Sequence, residues 1–241
     1  MDNYVIILRT CDKFLKYSEG ILYTLEKYWK NHPKVYFLSY ESPKFKLPNT
    51  WEHYSMGKDN GAQIWSNGFI DFFNDYPEID YFLFLLDDMF FLDTVDVKQI
   101  EYLVHIMKND SNVGKIQISG SHAKPKDNIP IENSIYNNSD LGKLRQNSQY
   151  RLSTLPAIWK KDFFLKYMEK NLNPWEFELQ HPKNDGIDIY TVRTNRPISL
   201  SHFFRRGNEF LSNKWYISHT DDKVMKEEDK KIIAEMFNWK L

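Results

Sequence analysis

Two adjacent carboxylates, Asp87 and Asp88, stand where an unbroken apolar run ends. The run is Tyr81-Phe82-Leu83-Phe84-Leu85-Leu86, and Met89, Phe90 and Phe91 resume it directly after the acids. A stretch this apolar and this rich in aromatics suits a strand buried on both faces. Carboxylates at the end of such a strand are costly to bury unless they are paired or hold a metal. Hard divalent cations take oxygen ligands, so the chemistry points to a cation carrying a phosphorylated ligand. The plainer reading is a solvated turn, or a cap on the segment that follows.

The elements around this pair alternate. Tyr4 to Leu8 reads as a short strand that breaks at Arg9-Thr10-Cys11-Asp12. A helix follows from about Lys13 to Asn31, with Phe14, Ile21, Leu22, Leu25, Tyr28 and Trp29 at helical spacing and Asp12 as N-cap. Val35 to Tyr40 is a second strand, with Glu41 just past its end, and Ser42 to Tyr54 reads as a loop through Pro43 and Pro48. Gly57 to Gly61 turns into a helix carrying Ile64, Trp65, Phe69, Phe72, Phe73 and Tyr76. After the central strand, Asp96 opens a helix with Val97, Ile100, Leu103, Val104 and Met107 on one face, and Val113 to Ser119 is a strand. Strand and helix in alternation predict an α/β layer fold around a largely parallel sheet. Ligands of such sheets sit beyond the carboxyl ends of the strands. Those ends carry Thr10 and Asp12, then Glu41, then Asp87 and Asp88.

The second half is less regular. Gly120 to Tyr150 is polar and reads as a flexible segment near the site, or as short antiparallel strands. Ser153 to Trp159 is extended, and Lys161 to Asn171 is helical. Asn173-Pro174 reads as an N-cap followed by Pro at the first helical position, which places Trp175-Glu176-Phe177-Glu178 at a helix N-terminus. Asp188 to Val192 and Ile198 to Phe204 are strands, and Lys226 to Trp239 is an amphipathic helix. Neither an internal repeat nor a low-complexity linker interrupts the 241 residues, so one domain is expected over 1–241. Within it, the regular alternation fills about 1–119, and the less regular part with the terminal helix fills about 120–241.

Composition narrows the classes. A net charge of −1 gives no electrostatic case for nucleic acid. The single cysteine, Cys11, excludes a disulfide framework and a cysteine zinc site. Met-Asp-Asn-Tyr lacks the features of a signal peptide, and no run approaches the ~18 apolar residues of a membrane span. The expectation is a cytoplasmic protein with no transmembrane segment.

Four stretches in order resemble the GT-A-type glycosyltransferases, the nucleotide-diphospho-sugar transferase superfamily, and within it a group of bacterial and viral enzymes. They are Ile6-Ile7-Leu8-Arg9-Thr10-Cys11-Asp12; Trp65-Ser66 leading to the Tyr81–Phe91 stretch; Leu155-Pro156-Ala157-Ile158-Trp159-Lys160-Lys161-Asp162 with Pro174-Trp175-Glu176-Phe177-Glu178; and Ser201-His202-Phe203-Phe204-Arg205-Arg206-Gly207. The resemblance implies a GT-A-like α/β fold with a mixed, mostly parallel central sheet flanked by helices. It implies transfer of a sugar from a nucleoside diphosphate sugar, by default a UDP-sugar, to a saccharide or glycoconjugate. The family's acidic motif is Asp-X-Asp, and here Leu86 holds its first position. The last Asp of the motif usually binds the metal, which implies Asp88 as ligand and Asp87 turned to the ribose or to a supporting role.

Such a transfer needs the leaving diphosphate neutralised, a proton taken from the acceptor hydroxyl, and both substrates held in line. A divalent metal, Mn²⁺ or Mg²⁺, supplies the first need as a Lewis acid. Asp88 is the first expected ligand and His202, at the end of a late strand, the second. Arg205 and Arg206 offer fixed charge for phosphate; the alternatives are a satisfied strand histidine and a solvated basic turn. Glu178, ahead of Glu176, is the candidate general base, against ordinary first-turn helix acids. A helix N-terminus keeps a carboxylate ionised but lowers its basicity, while burial beside Trp175 and Phe177 acts the other way. Arg9 and Thr10 are candidates for the nucleobase or ribose, and Glu41 for a uracil edge. Asp59 is either a cap or a ligand contact, and Trp65 either stacks in the site or packs in the core. Trp159 and Trp175 are candidate acceptor platforms or packing residues. Two other classes stay open: a nucleotidyltransferase, disfavoured by the lack of a Gly-rich phosphate loop among only 9 glycines, and a non-catalytic glycan-binding module.

Overall fold

The apolar alternation along the strands demands two buried faces, and the fold provides both. The computed structural model describes residues 4–118, 128–130, 141–148, 150–180, 185–193, 196–202, 204–205, 208–209 and 224–239, with backbone alone at 128–130 and from 202 to 209. The strands are β1 (Val5–Arg9), β2 (Val35–Ser39), β3 (Trp51–Ser55), β4 (Tyr81–Leu86), β5 (Met89–Phe91), β6 (Val113–Gln117), β7 (Asn128–Pro130), β8 (Leu141–Leu144), β9 (Ala157–Lys160), β10 (Asp188–Val192), β11 (Leu200–His202), β12 (Phe204–Arg205) and β13 (Asn208–Glu209). The helices are α1 (Ser18–Tyr28), α2 (Trp65–Asp75), α3 (Val97–Asn109), α4 (Lys161–Lys166), α5 (Pro174–Leu179) and α6 (Glu227–Phe237).

Nine strands form the central sheet in the order β3-β2-β1-β4-β9-β6-β10-β8-β7. The β3-β2-β1-β4 block is parallel, as is the β6–β10 pair, while β9 runs antiparallel to both β4 and β6, and β8 antiparallel to β10. The molecule is thus α/β, with a mixed, mostly parallel sheet flanked by helices. Alternate residues feed opposite cores, as a strand period of two requires. Ile6 and Leu8 of β1, with Leu83 and Leu85 of β4, face α1, α3 and α6, where Ile21, Leu25, Ile100, Leu103 and Ile233 pack. Ile7, Phe82 and Phe84 face the opposite way, onto Phe69, Phe72 and Phe73 of α2, Phe163 and Phe164 of α4, and Phe177 of α5. This second core is largely aromatic: Phe82 meets Phe164 edge-on at 5.1 Å and Phe69 meets Phe84 at 5.4 Å.

Several sequence expectations need correction. The 42–54 segment is not all loop, because β3 pairs in parallel with β2, Val35 opposite Trp51 through Ser39 opposite Ser55. An edge strand with its middle residues half-buried carries little apolar signal. Trp51 is fixed from outside the sheet, since its indole N–H donates to Glu26 at 2.7 Å. The first helix opens as a 3-10 turn at Leu15–Tyr17 before α1, and Asp12 caps neither. The Lys161–Asn171 helix is only one and a half turns, α4. Asp96, by contrast, caps α3 as expected, accepting from the Gln99 amide at 3.1 Å. Within Gly120–Tyr150, β7 and β8 are antiparallel strands on the sheet.

Two features set the environment of the acidic pair. Asp87 and Asp88 form the turn at which the chain leaves the main sheet, because β5 pairs antiparallel with β11 instead, Met89 opposite His202. Behind β5 lies α1, and on α1 lies α6. The carboxylate of Asp229, fully buried, accepts from Tyr23 at 2.7 Å, Tyr28 at 2.5 Å and Lys27 at 2.7 Å, which fastens the terminal helix. No helix among the described residues is long and apolar enough to cross a membrane.

Candidate active site

The carboxyl ends of β1 and β4 open into a cavity of about 460 Å³. Because the two strands are paired in register, Arg9 opposite Leu86, the residues just beyond them meet. The Thr10 hydroxyl donates to Asp87 Oδ2 at 2.5 Å. Arg9 projects into the same space between aromatic faces, its guanidinium carbon 5.5 Å from the Trp65 ring centroid, 5.7 Å from Tyr40 and 5.8 Å from Phe69. One of its N–H groups donates to the Tyr40 hydroxyl at 3.0 Å. Desolvation lowers the Arg9 pKa, while Tyr40 and Asp87 act to hold its charge. Asp87 is pushed up to about 7, first by desolvation and then by the charge of Asp88, against the stabilising bond from Thr10. Burial also raises the thiol of Cys11, which lines the cavity beside them.

The loop before α2 closes one side. Asp59 accepts from the Gly61 amide at 2.8 Å and from the Asp12 amide at 3.3 Å, so its carboxylate braces two loops as well as lining the cavity. Gly61, at φ 91°, supplies the left-handed conformation this turn needs. Trp65 is buried but reaches the cavity wall, against Phe69 at 4.9 Å and Phe177 at 5.4 Å. Asp59 thus holds the loop ahead of α2 and Trp65 packs in the core, and both side chains line the cavity.

The opposite wall comes from α5. Hydrogen bonds between Ser66 and Leu172 (3.1 and 3.0 Å) tie the chain ahead of α5 to the start of α2. Asn173 and Glu176 then form a reciprocal capping box, and Pro174 takes the first helical position. This assigns the two glutamates. Glu176 is exposed and its Oε2 accepts from the Asn173 amide at 2.9 Å, so it is a cap outside the cavity. Glu178 faces the cavity with Pro174 and Trp175. Glu178 lies in the last turn of this six-residue helix, not at its N-terminus. Its donors come from another segment: the Thr154 amide and hydroxyl both reach Oε1 at 2.6 Å. Beneath that segment, the buried Lys115 of β6 donates to Ser153 O at 2.6 Å and stands 4.4 Å from the Trp159 ring.

Other expected residues lie elsewhere. Glu41 is exposed on an adjoining groove of about 340 Å³, with Asp12, Lys16 and Lys44, and its amide donates to Asp12 at 3.1 Å. Trp159 is fully buried against Phe163, Phe164 and Phe177, which excludes it as an acceptor platform. Trp175, at 63% exposed, stands at the cavity rim. Arg206 lies outside the described residues, and of His202 and Arg205 the backbone alone is described. Thr154, Tyr40 and Lys115 are site neighbours that sequence reasoning passed over. Each acts across a long separation in the chain, and no local pattern marks such a contact.

Among the described residues no group of three or more His, Cys, Asp or Glu side chains gathers to hold a metal. Of the four carboxylates that line the cavity, Asp59, Asp87, Asp88 and Glu178, only Asp87 and Asp88 are adjacent in the chain. Two carboxylates suit a hard cation that keeps several waters and completes its shell with substrate phosphate. Two carboxylates do not make a closed protein cage, and their oxygens suit a hard cation such as Mg²⁺ or Mn²⁺. Compared with protein-family models and with curated proteins, the chain matches none.

Proposed function

We propose that this chain is a glycosyltransferase of GT-A type, moving a sugar from a nucleoside diphosphate sugar to a saccharide or glycoconjugate hydroxyl. One observation carries the reading. The acidic turn after β4 and the Glu178 carboxylate of α5 face a single cavity at the carboxyl edge of a mostly parallel sheet, the edge at which such sheets bind ligands. In this reading Asp88 would hold a divalent cation, which when bound would supply Lewis-acid charge for the leaving diphosphate. Asp87, held by Thr10, faces the ribose or supports Asp88. Arg9, among the Tyr40, Trp65 and Phe69 rings, contacts the nucleobase or ribose. Trp175 offers an aromatic face to the acceptor ring.

Glu178 is the proton acceptor. The acceptor oxygen bonds to the anomeric carbon, and its proton passes to the Glu178 carboxylate. The bond from that carbon to the diphosphate oxygen breaks, and both its electrons leave on the diphosphate. Attack opposite the leaving group inverts the anomeric centre.

The test is a thermal-shift panel of UDP, GDP and their sugars, with and without Mn²⁺. A ligand that binds only the folded state adds about 2.7 kcal/mol at a hundredfold excess over its Kd. The expected result is a Mn²⁺-dependent shift with one diphosphate, lost in Asp88→Ala. A shift with nucleoside triphosphates alone, with pyrophosphate release, would mean a nucleotidyltransferase. Absence of any nucleotide shift would leave a glycan-binding module.

A further inference from the structure

One peptide unit joins the buried Lys115 amine to the carboxylate that faces the cavity. Lys115 Nζ donates to the Ser153 carbonyl at 2.6 Å, and the N–H of that same peptide, on Thr154, donates to Glu178 Oε1 at 2.6 Å. An amide whose oxygen accepts a hydrogen bond gives a stronger N–H donor, because linked hydrogen bonds polarise one another. The Thr154 hydroxyl adds a second donor to the same oxygen at 2.6 Å. Lys115 is 1% exposed and Thr154 6%, so little water competes for these bonds. The arrangement is not a helix cap: Asn173 caps α5, and Glu178 sits at the other end of it.

Two donors on Oε1 occupy its two acceptor directions. The carboxylate plane cannot turn without breaking both bonds, and Oε2 is left as the oxygen that meets a proton. We propose that Thr154 is the positioning residue for Glu178, selecting which carboxylate oxygen faces the acceptor, with Lys115 anchoring the shared peptide from β6. The inference rests on Glu178 being the base in the reading above. It adds how the base is aimed, at a helix terminus whose dipole favours cations rather than anions.

The test measures steady-state UDP release from UDP-glucose, UDP-galactose and UDP-N-acetylglucosamine with Mn²⁺, for wild-type protein, Thr154→Val, Thr154→Ser and Glu178→Gln. Thr154→Val keeps the shape and the amide donor but loses the hydroxyl. It is expected to lower kcat roughly tenfold to a hundredfold, the size of one hydrogen bond to a charged group, with KM for the donor unchanged. Thr154→Ser, which restores the hydroxyl, is expected to recover most of that loss. A purely structural role would not give this split between kcat and KM, nor the serine rescue. Should Thr154→Val fail to fold, judged by its thermal shift with UDP and Mn²⁺, Thr154→Ala carries the same expectation. Wild-type kcat in the valine or alanine variant, with Glu178→Gln inactive, would overturn the positioning role and leave the base in place. Equal losses in the serine and valine variants would overturn it too. Turnover retained in Glu178→Gln, or absent from the wild-type protein with every donor, would remove the base and this inference together.

Discussion

Thr10 and Asp87 are joined by a 2.5 Å hydrogen bond from hydroxyl to carboxylate, across the carboxyl ends of two neighbouring strands. Thr10 is 1% exposed, so Asp87 has little access to a replacement donor on that side. Thr10→Val keeps the volume and removes the donor. Leaving a desolvated carboxylate short of one bond is expected to cost about 1–3 kcal/mol in urea denaturation. The Mn²⁺-dependent shift with a nucleoside diphosphate should shrink as well, because the acidic turn loses its tether to β1.

Gly20 lies inside α1, where alanine would ordinarily gain about 1 kcal/mol of helix propensity. Here packing decides the sign. A Cβ at Gly20 would stand 2.6 Å from the tip of the Phe90 ring and 3.1 Å from Phe237. Phe90 is fully buried in β5, two residues past Asp88. Overpacking of this kind costs about 1–3 kcal/mol, so Gly20→Ala is expected to lower Tm. Weaker diphosphate binding in the same variant would show that α1 sets the position of the acidic turn through β5. A rise in Tm would show that the contact relaxes freely.

Lys115 predicts a pH dependence of stability. Burial lowers its pKa to about 7 from an ordinary 10.5, opposed by the charge of Glu178. Between those values the unfolded chain holds a proton that the folded one lacks, so stability rises with pH across the window. The cost of burying the charged ammonium is fully present below pH 7 and relieved above it. Lys115→Met should remove this contribution. Urea midpoints at pH 7 and pH 9 are expected to show wild-type protein gaining on the variant at the higher pH. A constant difference between the two proteins would contradict it.

Trp175 is 63% exposed at the cavity rim. Trp175→Ala is therefore expected to change stability by no more than about 0.5 kcal/mol. Loss of an aromatic face for the acceptor should raise KM for the saccharide several-fold, while donor turnover to water stays unchanged. Unaltered acceptor kinetics would remove the platform role.

Much of the frame was legible because it follows from short-range physics. The strand at Tyr81–Leu86 announces itself by its unbroken apolar run, β10 matches Asp188–Val192 end to end, and Asn173-Pro174 marks the start of α5. The capping box went unread in the sequence, although Asn173 followed three residues later by Glu176 is its pattern and commits Glu176 to the backbone. β3 was hidden because a half-exposed edge strand alternates polar with apolar residues amid prolines. Trp159 misled for the opposite reason, since an aromatic near a loop looks available until Phe163, Phe164 and Phe177 are seen to enclose it. Thr154 had no signal at all, because its partner Glu178 is brought to it only by the packing of α5.

The place of β9 has a consequence for synthesis on the ribosome. Residues through 118 contain β1 to β6, but β6 touches none of the other five in the sheet; the slot between β4 and β6 belongs to Ala157–Lys160. A nascent chain that has emerged only to residue 118 holds a four-stranded parallel block and two strands without partners, β5 awaiting β11 and β6 awaiting β9 and β10. The division at 119 into two halves is therefore one of sequence only. The sheet closes, and Thr154 and Glu178 arrive at the acidic turn, only once the second half has left the tunnel.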